Sequence, residues 1–270
     1  MTEAEAREIV MIAVPRSGTN FLCECIADFP SVLGLFEIFN PRGVFGAKNA
    51  GLLTALNDIL GTRYAEVSEP ELVARFRDDP LEAATKVRAA AAARGFAHVS
   101  YKIFPGQVDD ENLVRLLSDR SRTVLFLARR RLDTYISYVK ARELDVWKSE
   151  STEALLPHID ATEFMKWSKR TEAWYARAKE IVDEAGTPHR VLSYEDDVSL
   201  PKDAVVAGLS MTFSDLGLDV GAANAAGVRF RRQDRQVGPF KKIANGDELR
   251  AELRGRKKYN YALARPLEDD

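Results

Sequence analysis

A short polar segment at residues 14–20 has the composition of a loop that binds an anion. It reads Val-Pro-Arg-Ser-Gly-Thr-Asn and joins an apolar run to a segment with helical spacing. Gly18 lets the backbone approach a ligand closely, and Ser17 and Thr19 add hydroxyl donors beside the free N–H groups of a helix start. Arg16 supplies a planar cationic fork suited to a phosphate or a sulfonate. The same residues also suit an ordinary strand-to-helix turn capped by Ser or Thr, so the loop alone leaves both interpretations open.

A second concentration of positive charge follows the apolar run at residues 123–128. Arg129 is the first of three consecutive arginines at the point where this run gives way to helical spacing. Arginine at a helix start opposes the helix dipole, which indicates that an anion is expected nearby. Ser137 follows eight residues later, and Asp133 lies halfway, where it is expected to hold an arginine in place. The alternative is a solvated helix start without a ligand.

The elements that must position these residues are strands alternating with helices. Apolar or β-branched runs predict buried parallel strands at residues 9–14, 97–104, 123–128 and 190–193. Helical spacing is found at residues 19–28, 111–118, 132–146 and 162–185, and at 70–94 as one long helix or two short ones. This alternation predicts an α/β fold with a central parallel sheet flanked by helices. Ligands of such sheets bind at the carboxyl ends of the strands, where both charged motifs lie.

Length, charge and cysteine content limit the classes of protein that fit. The 270 residues suffice for one α/β domain, expected over residues 1–270 with a core of about 9–253 and a mobile tail after Arg256. The net charge of −2 gives no basic excess, so we expect no nucleic-acid partner. The N-terminus is acidic and no apolar run approaches about 18 residues, so we expect neither a signal peptide nor a transmembrane segment. Cys23 and Cys25 are too few for a disulfide framework or a zinc site and are expected to be reduced, which fits a cytoplasmic protein.

The two charged motifs together resemble the sulfotransferases that use 3′-phosphoadenosine 5′-phosphosulfate (PAPS). In that family a Pro-[Lys/Arg]-Ser-Gly-Thr loop after the first strand holds the 5′-phosphosulfate, and residues 15–19 match it. An Arg, with Asp four and Ser eight residues later, holds the 3′-phosphate, and Arg129, Asp133 and Ser137 match that spacing. The resemblance implies a single-domain, P-loop-like fold and a donor site without a metal. The donor contacts that it implies are those of Arg16, Ser17, Gly18, Thr19, Asn20, Arg129 and Ser137.

Further segments are similar to the bacterial branch that sulfates carbohydrates, the trehalose and nodulation-factor type. These segments lie at residues 34–39, 101–104, 194–196, 231–233 and 243–249. The similarity implies a carbohydrate or glycolipid acceptor, Glu37 as the base, and Lys102 beside Arg16 at the leaving phosphate. Cytosolic small-molecule members carry a catalytic His where Phe104 stands, and none of the three histidines here matches a family motif.

Two other functions remain compatible with the sequence. A nucleotide kinase of related fold would carry Gly-x-x-x-x-Gly-Lys-[Ser/Thr], and this loop lacks both the first Gly and the Lys. A non-catalytic domain would keep nucleotide binding but would not need Glu37 and Lys102. The residues fix neither the acceptor nor the assembly, and a homodimer is left open. The indole rings of Trp147, Trp167 and Trp174 suit either stacking on a sugar or core packing.

Overall fold

The centre of the fold is a sheet of five parallel strands. The computed structural model describes residues 6–145, 154–224 and 238–268. The strands are β1 (Arg7–Ile12), β2 (Val32–Gly34), β3 (His98–Ile103), β4 (Thr123–Ala128) and β5 (His189–Ser193). Their spatial order is β2-β3-β1-β4-β5, and all four pairings are parallel. The predicted α/β class, with a central parallel sheet flanked by helices, is confirmed.

Helices connect the strands and cover both faces of the sheet. In the described parts of the chain they are α1 (Thr19–Ile26), α2 (Leu52–Leu60), α3 (Pro70–Asp78), α4 (Pro80–Ala93), α5 (Asp110–Leu117), α6 (Arg131–Leu144), α7 (Ala161–Ala185), α8 (Lys202–Asp215), α9 (Gly246–Gly255) and α10 (Tyr259–Leu263). None of the helices in these parts is long and apolar enough to cross a membrane. The helical segment predicted at 70–94 is two helices, because Asp79 is extended before Pro80 and its carboxylate caps α4.

Strand β2 is the strand that the sequence pattern did not predict. It has only three residues, which is too short to show a period. It pairs with β3, so that Gly34 lies beside Ser100. A Cβ on Gly34 would lie 2.5 Å from the Cβ of Ala27, which follows α1. Gly34 therefore lets β2 pack closely on the end of α1, and the next loop starts at the carboxyl edge of the sheet.

Alternation along the strands divides the core between the two faces of the sheet. Ile9 and Met11 of β1 belong to a buried cluster with α1 and α8, whereas Val10 and Ile12 pack with α2, α4, α5 and α7 on the other face. Cys23 and Cys25 are buried in the first cluster and are not bridged, as expected. Burial raises the pKa of the Cys23 thiol, and that of Cys25 to about 12, so both stay neutral at ordinary pH.

The C-terminal tail contacts the start of α6, which follows β4. The carbonyl of Ala264 accepts the N–H of Arg131 at 3.1 Å, and the guanidinium of Arg131 binds Glu172 Oε1 at 2.6 Å. The expected mobility after Arg256 remains a prediction, as does the single domain over residues 1–270. Trp147 and the segment at 231–233 lie outside the described residues.

Candidate active site

The predicted anion motifs lie where the order of the strands reverses. Strand β1 lies between β3 and β4, and the loop at residues 13–18 leaves its carboxyl end. Arg129 follows directly after β4, and Lys102 is the penultimate residue of β3. In open parallel sheets the crevice at such a switch point is the usual place for a ligand. The topology therefore brings three cationic side chains to one edge of the sheet.

The loop after β1 leaves the start of α1 without a side-chain cap. Arg16 and Gly18 both have a positive φ, of 74° and 95°. Ser17 is fully buried, and its Oγ donates to the carbonyl of Val14 at 2.7 Å. Gly18 is the N-cap residue of α1, and no side chain in the described part of the protein accepts a bond from the first turn there. The interpretation as an ordinary capped turn therefore does not hold, and the N–H groups of the first turn suit an anion.

Gly18 is required by packing as well as by its backbone conformation. A Cβ at this position would lie 2.5 Å from two ring carbons of Tyr194. Tyr194 begins a single π-helical turn, Tyr194–Val198, directly after β5. The guanidinium of Arg129 lies on the same ring, with its Cζ 4.3 Å from the ring centroid. Tyr194 thus packs between the loop and Arg129, whereas the sequence indicated it only as part of the similar segment at residues 194–196.

Direct hydrogen bonds join the two anion motifs. Arg129 Nη1 donates to the carbonyl of Arg16 at 2.8 Å, across a separation of 113 residues. Arg16 Nε donates in turn to Ser137 Oγ at 3.2 Å, across 121 residues. The Nε of Arg129 is buried and has no hydrogen-bond partner among the described residues. Since a buried N–H of a cation is costly when unpaired, this donor fits an anionic ligand.

The two arginines also concentrate positive charge at the loop. Burial, and then the charge of Arg129, lowers the pKa of Arg16 to about 10. Arg16 is therefore still cationic at neutral pH, although the protein disfavours its charge. An anion bound between the two guanidinium groups would relieve both penalties, since an opposite charge favours the charged form.

Asp133 does not hold Arg129, which corrects the expectation from spacing. Its carboxylate accepts from Lys242 Nζ at 2.7 Å, and both side chains are buried. The reason is that α6 begins at Arg131, so Arg129 lies before the helix and helical spacing does not relate it to Asp133. Of the predicted motif, Arg129 and Ser137 contact Arg16 in the loop after β1.

Lys102 places a further cation beneath the loop. Its side chain is 1% exposed, and Nζ donates to Thr19 Oγ1 at 3.0 Å and to Asn20 Oδ1 at 2.6 Å. The ammonium also lies 4.9 Å from the ring centroid of Phe104, within the range of a cation–π interaction. The side chains of Thr19 and Asn20 thus bind Lys102, and their contacts with PAPS remain a prediction.

Glu37, in the loop after β2, lies beside Lys102 of β3. Glu37 Oε1 is 3.5 Å from Lys102 Nζ, and the Glu37 side chain is 20% exposed. Its other oxygen accepts from the amides of Asn40 and Gln107. The sequence singled out Glu37 and Lys102 but not the two amides, because a lone Asn or Gln in a loop carries no pattern.

The tryptophans within the described residues have packing roles. Trp174 Nε1 donates to the carbonyl of Ala13 at 3.1 Å, and Trp167 packs against the rings of Tyr135 and Tyr138. Within the same parts of the chain, no group of three or more His, Cys, Asp or Glu side chains is placed to hold a metal ion.

Comparison with solved structures shows a likeness in fold. No protein-family model matches the sequence. No curated protein matches it either. Among solved structures, the crystal structure of a sulfotransferase from Alicyclobacillus acidocaldarius is similar to this chain. The two are 14% identical, with a TM-score of 0.46, over 94% of this chain and 91% of that one. At this level of similarity, the activity has to be inferred from the chain's own residues.

Proposed function

We propose that this protein is a sulfotransferase that moves the sulfuryl group of PAPS to a hydroxyl of a carbohydrate or glycolipid. The observation that carries the proposal is the hydrogen-bonded union of the two anion motifs, Arg129 to Arg16 and Arg16 to Ser137. An elongated nucleotide with phosphates at both ends matches a site that has one anion motif after β1 and another after β4. ATP has no phosphate on its 3′ oxygen, and the lysine expected in an ATP-binding loop is missing here.

The donor would be held from two directions. The first turn of α1 and Arg16 suit the 5′-phosphosulfate, because N–H groups and a guanidinium both donate to anionic oxygens. Arg129 and Ser137 suit the 3′-phosphate, and the unpaired Nε of Arg129 is a donor for it. When bound, PAPS supplies the sulfuryl group, and its 5′-phosphate is the leaving group.

Three side chains would act on the reacting atoms. As the acceptor oxygen forms its bond to sulfur and the bond from sulfur to the phosphate oxygen breaks, Glu37 takes the proton of the acceptor hydroxyl. Negative charge then builds on the leaving phosphate, where Lys102 and Arg16 neutralise it. Such preorganised donors contribute about 3 kcal/mol each to the lowering of a barrier. The site therefore relies on positioning and charge, as phosphoryl-transfer sites do.

A ligand panel tests the class of nucleotide. We expect adenosine 3′,5′-bisphosphate to raise the melting temperature by several degrees at about 100 times its Kd, since that binding adds about 2.7 kcal/mol. Adenosine 5′-monophosphate, which lacks the 3′-phosphate, should raise it less. Stabilisation by ATP with magnesium, and none by the bisphosphate, would contradict the proposal and favour a kinase.

Transfer of labelled sulfate to glycans, glycolipids and phenols identifies the acceptor. Binding of the bisphosphate without any transfer would favour a non-catalytic domain.

Replacement of Glu37 tests the base. We expect Glu37→Gln to lower kcat about 100-fold, because the amide cannot take a proton, while bisphosphate binding measured by calorimetry stays within about twofold. The exposed Glu71 on α3 provides the control. Glu71→Gln should change neither quantity. A Glu37→Gln enzyme with near-normal kcat would show that the base is another group.

The remaining expectations rest on the same proposal. We infer a small-molecule or glycan acceptor, no nucleic-acid partner and a location in the cytoplasm. A homodimer is an assembly that sedimentation at several concentrations would test.

A further inference from the structure

We propose that Asn40 and Gln107 are positioning residues that fix Oε1 of Glu37 as the oxygen that receives the acceptor proton. This inference rests on the proposed function, in which Glu37 is the base. It is carried by the hydrogen bonds of two side-chain amides, one in the loop after β2 and one in the loop after β3.

Both amides donate to the same oxygen of the carboxylate. Asn40 Nδ2 lies 2.7 Å from Glu37 Oε2, and Gln107 Nε2 lies 2.9 Å from that atom. Oε1 is 3.5 Å from Lys102 Nζ, which itself binds the first residues of α1. The carboxylate therefore turns one oxygen toward the amides and the other toward the cation beneath the phosphate loop.

Neither side-chain amide can rotate to exchange its oxygen and its NH₂ group without losing a hydrogen bond to the backbone. Gln107 Oε1 accepts the N–H of Phe104 at 2.9 Å, and Asn40 Oδ1 accepts the N–H of Arg42 at 2.9 Å. A backbone N–H is only a donor, so each amide must give its oxygen to the backbone and its NH₂ group to Glu37. The backbone thus determines the orientation of the amides, and the amides determine that of the carboxylate.

The main chain of Glu37 is held by the same loop. Its carbonyl accepts the N–H of Asn40 at 3.3 Å and that of Phe45 at 3.2 Å. With backbone and side chain both fixed, Glu37 needs little reorganisation when an acceptor binds. Misplacement of a reacting group by about 1 Å can cost about 100-fold in rate. Loss of one amide should therefore cost part of that factor and should act on kcat.

The test separates the contact to Glu37 from the contact to the backbone. Asn40→Asp and Gln107→Glu keep an oxygen for the backbone N–H but replace the donor to Glu37 with a second carboxylate oxygen. The probe is release of adenosine 3′,5′-bisphosphate from PAPS, with trehalose as acceptor and with water alone. At about pH 8 we expect kcat to fall about 10- to 30-fold in each variant, with the KM for PAPS within about twofold.

Acid should restore activity to both variants. Two facing carboxylates raise the pKa of one of them, and a protonated carboxyl can donate the hydrogen bond that the amide supplied. Lys102 of β3 lies beside Glu37, and Cys23 of α1 is close enough for the charge of Glu37 to affect its pKa. Lys102 and Cys23 are unchanged in the variants. The activity of each variant, divided by that of the unmodified protein at the same pH, should therefore rise as the pH is lowered from about 8 to about 5.5.

The matched control is Asn112→Asp on the surface of α5. Asn112 Nδ2 donates to Asp109 Oδ2 at 2.9 Å, so this variant creates facing carboxylates without removing a hydrogen bond to Glu37, and it should retain full activity. If Asn40→Asp and Gln107→Glu keep kcat, or lose it equally at every pH, while Glu37→Gln is inactive, the positioning roles are wrong and the base stands. Normal turnover by Glu37→Gln would overturn this inference and the base role but not sulfuryl transfer itself. No release from PAPS by the unmodified protein with any of the glycans, glycolipids and phenols would overturn the proposed function.

Discussion

Replacement of Lys102 by methionine should lower kcat/KM for PAPS by about 10³-fold, or about 4 kcal/mol. The ammonium is buried beneath the loop after β1, donates to Thr19 and Asn20, and lies 3.5 Å from Glu37. Methionine keeps the length of the side chain but removes the charge that would neutralise the leaving phosphate. The carboxylate of Glu37 keeps its two amide donors and is 20% exposed, so the fold should survive.

The control for this loss is Lys86→Met on α4. Lys86 is half-buried beside Glu82 on the protein surface, with 3.9 Å between the charged atoms. Its replacement should leave kcat/KM unchanged and alter stability by less than about 1 kcal/mol. Circular dichroism and melting temperature report whether Lys102→Met is folded. A folded Lys102→Met enzyme with kcat/KM within about tenfold of the parent would remove Lys102 from the proposed mechanism.

The second large effect is expected from Gly18→Ala, which should weaken binding of adenosine 3′,5′-bisphosphate by at least about 100-fold. An L-residue at the φ of 95° costs about 1–2 kcal/mol, and the new Cβ would meet the ring of Tyr194 at 2.5 Å. Overpacking of this kind costs about 1–3 kcal/mol. Relief requires Tyr194 to move, and its movement would displace the guanidinium of Arg129 that lies on the ring. The change would therefore affect both anion motifs at once.

Gly217→Ala separates the backbone cost from the packing cost. Gly217 follows α8 with a φ of 69°, and a Cβ there would meet nothing within 4 Å. This variant should lose about 1 kcal/mol of stability but bind the bisphosphate normally in calorimetry. Equal affinity in Gly18→Ala and the parent would mean that the loop does not bind the donor.

Much of the fold could be predicted because the signals are local. Strand β4 lies at the predicted residues, and β1 begins and ends two residues before its predicted bounds. A run of buried apolar residues indicates that a strand is present more reliably than it indicates where the strand begins and ends. β2 was not predicted, because three residues show no period and its place depends on packing against Ala27. The break between α3 and α4 was left open as one of two alternatives, and Asp79 and Pro80 decide it.

The candidate site likewise combines residues that sequence motifs indicate with contacts that only the fold creates. The sequence by itself determined the loop at residues 14–20, Arg129 and Ser137, and it gave Glu37 and Lys102 through a resemblance, because motifs consist of residue types at fixed spacing. Only the tertiary structure decided that the two anion motifs meet, that Asp133 pairs with Lys242, and that two amides orient Glu37. Most of these contacts join residues about 70 to 113 positions apart. The order of the strands and the packing of loops set them, and neither leaves a period in the chain.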